Sequence, residues 1–174
     1  MSCYVASPFF NSAQLGNVQT IEKILTDHKV PFFSPRSIGV LTPKAGVGSR
    51  RAILDGNIAA LSASSCVLAV LEWLFPEGEA MHGTHQKDDE YGVPKWVARG
   101  APLNLPDTGV VWETGWAYAK DIPIVGIRWS PGGKLNVMLT ETLTGVLTGE
   151  SDVKEFAKRW PDLGWLPRWK GETQ

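Results

Sequence analysis

The chain has 174 residues, 43% hydrophobic and 20% charged, and 17 basic against 18 acidic side chains leave a net charge of −1. This length predicts one domain, residues 1–174, and the composition predicts a packed core and excludes disorder. No basic excess is available to neutralise a phosphate backbone, which argues against a nucleic-acid polymer as partner.

Cys3 and Cys66 are too few for a disulfide framework and fit a reducing compartment. No apolar run reaches the roughly 18 residues of a bilayer span, and the N-terminus lacks the basic flank and long apolar core of a signal peptide. A soluble, cytoplasmic protein with no membrane partner is expected.

Residues 3–6 form a short β-prone run stopped by Ser7 and Pro8, and predict a first buried strand. Leu15, Val18, Ile21, Ile24 and Leu25 then recur at helical spacing, with Asn11 or Ser12 as the cap. Residues 30–33 predict a second strand. Residues 35–49, with two prolines and three glycines, predict a long loop of the kind that carries function. A second helix is expected over about 50–63, with Ile53, Ile58 and Leu61 in the core.

The unbroken apolar run 66–71 fits a strand buried on both faces of a parallel sheet. Residues 75–106 hold four prolines, four glycines and a charge cluster at 87–90, and read as an insertion. Residues 110–120 are helical by pattern and 122–127 form another apolar strand. A tight turn follows at 130–133, and the stretch 135–147 is ambiguous. Ser151 is expected to cap a last helix ending near Trp160, before a Trp- and Pro-rich tail at 161–174.

Alternating strands and helices predict an open parallel α/β sheet of about five strands in a Rossmann- or flavodoxin-like three-layer sandwich. Such sheets bind ligands at the carboxyl ends of their strands, here just after Ala6, Phe33, Leu71 and Ile127.

The segment from Asp107 to Ala119 carries the chemistry. Asp107 and Glu113 are six residues apart, the first approaching a helix and the second in its first or second turn. The helix dipole lowers the cost of an ionised carboxylate there, and Gly109 and Gly115 admit close backbone approach. A carboxylate pair suits glycosyl transfer, one attacking the anomeric carbon while the other manages protons or holds the sugar. Ordinary capping by Asp107, with Glu113 a solvated side chain, explains the spacing alone equally well.

The segment resembles the active-site helix of the nucleoside 2-deoxyribosyltransferases, whose nucleophilic Glu follows an Asp by six residues in an Asp-x-Gly-x-x-x-Glu-x-Gly-x-Ala setting. The run from Tyr4 to Gln14 resembles that family's first strand and loop. Asn136–Val137–Met138 resembles its Asn-x-Met near the C-terminus.

The resemblance implies Glu113 as nucleophile, Asp107 as proton donor and Tyr4 as support for Glu113. It also implies Phe10, Gln14 and Asn57 against the base, with Gly109 lining the site and Asn136 and Met138 supplied by a neighbouring subunit. The position of an acidic base-contacting residue in some members aligns with Asn57, whose amide can hydrogen-bond a base edge but cannot act as an acid. Ser64–Ser65 stands where the family often has Ala-Asp. The implied partners are a 2′-deoxynucleoside and a free nucleobase, in a homo-oligomer of two or more subunits, with no metal or organic cofactor.

Two alternatives stay open: a nucleoside or nucleotide N-glycosidase with the same nucleophile, and a non-catalytic nucleotide-sensing module. Gly46–Val47–Gly48 before Arg50 and Arg51 offers backbone N–H groups to a phosphate, though a flexible loop explains it more simply. His82 and His85 beside Asp88, Asp89 and Glu90 hint at a metal site, but a polar loop is the simpler reading. Trp112 and Trp116 fit core packing as well as stacking, and Trp160, Trp165 and Trp169 fit a cover over the core or a subunit contact.

Overall fold

A computed structural model describes residues 1–9, 12–38, 47–72, 106–129, 135–171 and 173. Five parallel strands, β1 (Cys3–Ala6), β2 (Phe32–Phe33), β3 (Cys66–Val70), β4 (Ile124–Arg128) and β5 (Gly145–Thr148), lie in the order β2-β1-β3-β4-β5. The helices are α1 (Ser12–Asp27), α2 (Val47–Ser62), α3 (Thr108–Tyr118), α4 (Val137–Thr142) and α5 (Gly149–Arg159). The expected α/β sandwich is therefore present. Among the described residues no helix is long and apolar enough to cross a membrane.

The period of two in the strands sorts the core into two layers. Cys3, Val5, Leu68, Val125 and Ile127 pack with Val18, Ile21 and Leu25 of α1 and with Val153 and Phe156 of α5. Tyr4, Ala6, Val67, Ala69 and Ile124 face the other way, toward Leu61 of α2, Val110 and Ala117 of α3, and Leu139 of α4. Both layers are apolar, which is why β1, β3 and β4 read as unbroken hydrophobic runs.

Several element bounds differ from the sequence reading. Strand β2 keeps only two residues, because the Val30 N–H closes α1 onto the Leu25 carbonyl and Pro31 has no N–H to give. A 3-10 turn, Pro35–Ile38, occupies the start of the expected long loop, and α2 begins at Val47 rather than near 50. The ambiguous stretch resolves into α4 and then β5.

The expected capping role of Ser151 is incorrect. Helix α5 starts at Gly149 with Thr148 at the cap position, and Ser151 lies inside the first turn. Asp152, not Ser151, satisfies an end group there, its carboxylate accepting the Thr148 N–H at 2.8 Å. Phe10, the 130–133 turn, the histidine cluster and all but the last residue of the 75–106 segment lie outside the described residues.

Candidate active site

The site is built where α3 packs over β1 at Tyr4, the strand's second residue. Asp107 caps α3, its side chain accepting the Val110 N–H at 3.1 Å. This satisfies one of the helix's free N–H groups and fixes the carboxylate at the helix entrance. Gly109 makes that placement possible: a Cβ there would come within 2.8 Å of Asp107 Oδ2.

One turn further, Glu113 points inward to β1. The Tyr4 hydroxyl donates to Glu113 Oε1 at 2.5 Å. Tyr4 is fully buried and stacks on Phe33 of β2, ring centroids 5.6 Å apart, so the phenol has little freedom to turn away. Burial pushes the Glu113 carboxyl up to about 7; the Tyr4 hydrogen bond opposes that rise, and the charge of Asp107 adds to it. Burial and the neighbouring Glu113 drive the Tyr4 phenol far above its ordinary value, so it stays a donor. The pair supplies a desolvated carboxylate with one oxygen held and one unclaimed by Tyr4, poised near neutral pH.

The other expected site residues are placed as follows. Gln14 is buried in the first turn of α1, which starts just beyond the carboxyl end of β1. Asn57 lies on α2 with its Oδ1 enclosed and without a hydrogen-bond partner. Asn136 caps α4, its side-chain oxygen accepting the Met138 N–H at 2.9 Å, and Met138 is 74% exposed. Tyr4, Asp107, Gly109 and Glu113 are thus assembled within the subunit, whereas Asn136 and Met138 face outward. Trp112 and Trp116 stack on each other along α3, centroids 5.7 Å apart, and Trp112 remains 47% exposed.

Two charged residues at the carboxyl edge escaped the sequence reading. Arg128 ends β4 at 1% exposure, with its Nε 3.7 Å from Glu72 Oε1 just beyond β3. The same Glu72 oxygen accepts the Trp129 N–H. The signal was present, since each is the first charge after a buried strand at the edge where ligands bind. Of the Gly46–Arg51 segment, Arg51 lies in α2 and forms an exposed ion pair with Asp55 at 2.9 Å. Among the described residues no group of three or more His, Cys, Asp or Glu is arranged to hold a metal ion.

No protein-family model matches the chain, and no curated protein matches it. Solved structures do. The chain is similar to a 2-deoxyribosyltransferase from Bacillus psychrosaccharolyticus, with 22% identity and a TM-score of 0.69 over 97% of this chain and 100% of that one. It is also similar to a conserved protein from Enterococcus faecalis V583, with 21% identity and a TM-score of 0.59 over 91% of this chain and 98% of that one. From end to end, this chain has the fold of a 2-deoxyribosyltransferase.

Proposed function

We propose that the protein is a nucleoside 2-deoxyribosyltransferase, a pentosyltransferase that moves 2-deoxyribose between nucleobases with Glu113 as nucleophile. The observation that carries this reading is the Tyr4–Glu113 hydrogen bond of 2.5 Å at a desolvated carboxylate on the Asp107-capped helix. A solvated surface glutamate has no need of a buried phenol. A binding module has no need of a carboxylate poised near neutrality.

In the proposed reaction Glu113 Oε2, the oxygen not held by Tyr4, attacks C1′ of a 2′-deoxynucleoside. The N-glycosidic electron pair leaves with the base, whose nitrogen takes a proton from Asp107, and a deoxyribosyl ester of Glu113 remains. A nitrogen of a second base then attacks C1′ from the opposite side. The ester C–O pair returns to Glu113, and the proton shed by the incoming base restores Asp107. Two inversions give net retention.

Tyr4 holds the carboxylate in position and stabilises its charge both before attack and on departure. Gln14 and Asn57 hold the base, with Phe10 in the same role, while Asn136 and Met138 of a neighbouring subunit close on the sugar. The shared fold with the Bacillus psychrosaccharolyticus enzyme supports this reading.

The test is incubation of a 2′-deoxynucleoside with and without a second free base, products being separated by chromatography. A new deoxynucleoside formed only when the second base is present supports the proposal. Its absence with every base offered overturns it.

A further inference from the structure

The chain beyond α5 wraps the short helix α4 from end to end. The Val146 N–H of edge strand β5 donates to the Pro167 carbonyl at 2.8 Å, so the tail runs beside the sheet. Arg168 Nη1 then donates at 3.2 Å to the carbonyl of Leu143, the residue that closes α4. Trp169 packs against the layer formed by Leu135, Leu139 and Leu143. The Arg128 guanidinium lies over its ring, 5.8 Å from the centroid. At Gly171 the chain passes so close to the Trp169 indole that a Cβ would collide with its Cζ2. Thr173 finally forms a parallel bridge with Leu135, the residue immediately before Asn136.

A helix of six residues has no stability of its own, so its position comes from what grips it. Here the grip is on both flanks: Arg168 at the carbonyl of Leu143, just after α4, and Thr173 beside Leu135, just before its cap. What α4 and its cap show to the outside is Asn136, Val137 and Met138 at one end and Glu141 near the other. A group that acts across a subunit boundary has to be held to within about 1 Å, and a misplacement of that size costs up to about a hundredfold in rate.

We infer that residues 166–171 and Thr173 are a clamp that sets α4 so that Asn136 and Met138 meet the neighbouring subunit's site, with Arg128, Arg168, Trp169 and Gly171 as positioning residues. This inference rests on the reading, given above, that Asn136 completes a neighbour's site. The buried Arg128, beside Glu72, ties the clamp to the ends of β3 and β4. Placement of α4 is thereby referred to the same sheet edge that carries the site.

Arg168→Ala and Gly171→Val test the clamp, because both positions are exposed and neither change removes core volume. Each variant alone is expected to lose about tenfold in kcat/KM for transfer. The decisive readout is complementation. Each is co-expressed with Glu113→Ala under separate tags, and mixed oligomers are isolated by tandem purification. A Glu113→Ala subunit has a sound clamp and no nucleophile; a clamp variant has the reverse. Mixed oligomers should therefore regain activity several-fold above either parent, which a defect confined to one subunit's own folding cannot produce. Asn136→Ala mixed with Glu113→Ala is the parallel control and should behave alike. Rescue of Asn136→Ala without rescue of the clamp variants overturns the clamp and leaves the Asn136 reading standing. Clamp variants as active as wild type also overturn the clamp alone. Full activity of Asn136→Ala by itself overturns both.

Discussion

Tyr4 and Glu113 are 109 residues apart in the chain and share a hydrogen bond of 2.5 Å. The bond joins the second residue of β1 to the second turn of α3, so the sheet itself aims the carboxylate. Its electrostatic consequence opposes burial: desolvation favours the protonated acid, while the phenol favours the ion.

That balance predicts a pH profile. In the proposed reaction the attacking form of Glu113 is the ion, so kcat/KM should rise with pH through about 7. Tyr4→Phe removes the group that favours the ion, and the acid limb should move upward by about one to two pH units, the worth of a hydrogen bond to a charge. A limb that stays in place in Tyr4→Phe would show that the phenol does not govern Glu113.

Glu113→Ala should lose at least about a thousandfold in kcat, since the proposed covalent route requires this carboxylate as nucleophile. The same carboxyl also leaves a mark on stability. Its value in the folded chain, about 7, lies above its ordinary 4.5, so the fold binds the proton more tightly than the unfolded chain does. The stabilisation is complete below 4.5 and is lost as pH rises through 7. Melting of the wild type should therefore fall across that window. Glu113→Gln, which cannot ionise, should lack that component. Identical pH dependence in the two proteins would remove Glu113 as its source.

Much of this was legible in the sequence, for reasons that can be traced. The parallel sheet was readable because β1, β3 and β4 are buried on both faces and so carry uninterrupted apolar runs. Asp107 and Glu113 were readable because a cap and a second-turn carboxylate are local features. The Tyr4–Glu113 contact was implied only by family resemblance, since no periodicity reports on a partner 109 residues away. The Glu72–Arg128 pair was missed because a charge at a strand end looks like the start of a solvated loop. Burial of Arg128 comes from Trp169, far along the chain. The length of β2 and the start of α5 depended on individual hydrogen bonds, Val30 N–H to the Leu25 carbonyl and Thr148 N–H to the Asp152 carboxylate, which hydrophobic periodicity does not report.

Gly109 offers a way to disturb Asp107 without changing its chemistry. The methyl of Gly109→Ala would come within 2.8 Å of Asp107 Oδ2, so the carboxylate must move. Weakening of the α3 cap should cost about 1 kcal/mol of stability. Mispositioning of the proton donor should cost about ten- to a hundredfold in kcat. The kinetic defect should shrink for a leaving base that departs without protonation. A defect equal for every leaving base would mean that Asp107 holds substrate rather than delivering a proton.

Asn136 is expected to act in two capacities that can be separated. Serine can replace it as the cap of α4, whereas alanine cannot. Asn136→Ser should therefore melt near wild type yet lose transfer activity, and Asn136→Ala should lose about 1 kcal/mol as well. Sedimentation at assay concentrations should show a dimer or larger closed assembly. A fully active monomer would leave Asn136 with capping alone.

Transfer should outrun hydrolysis, for a reason that lies in what lines the vacated base site. In the proposed reaction the deoxyribosyl ester waits for a nucleophile between base departure and base arrival. Gln14 is buried, and Asn57 holds an enclosed acceptor with no partner. A planar base that donates an N–H to that acceptor gains a hydrogen bond and buries apolar surface, whereas a loose water gains only the first. A second base at millimolar levels should therefore capture most of the ester. The preferred donor should be a 2′-deoxynucleoside, because a 2′-hydroxyl beside Glu113 crowds the attack and withdraws charge from an oxocarbenium-like transition state. Deoxyadenosine or thymidine offered with a panel of free bases checks both points, with the matching ribonucleosides as controls. Accumulation of free base and deoxyribose alone, whatever acceptor is present, would make the protein an N-glycosidase. Reaction of 5′-monophosphates alone would place the substrate's phosphate among the recognised groups. Asn57→Asp refines the test, since an ionised carboxylate keeps the acceptor but adds a desolvated charge to the base site of the proposed reaction. Transfer by this variant should weaken and its acid limb should move to higher pH, because a second negative charge disfavours ionisation of the first.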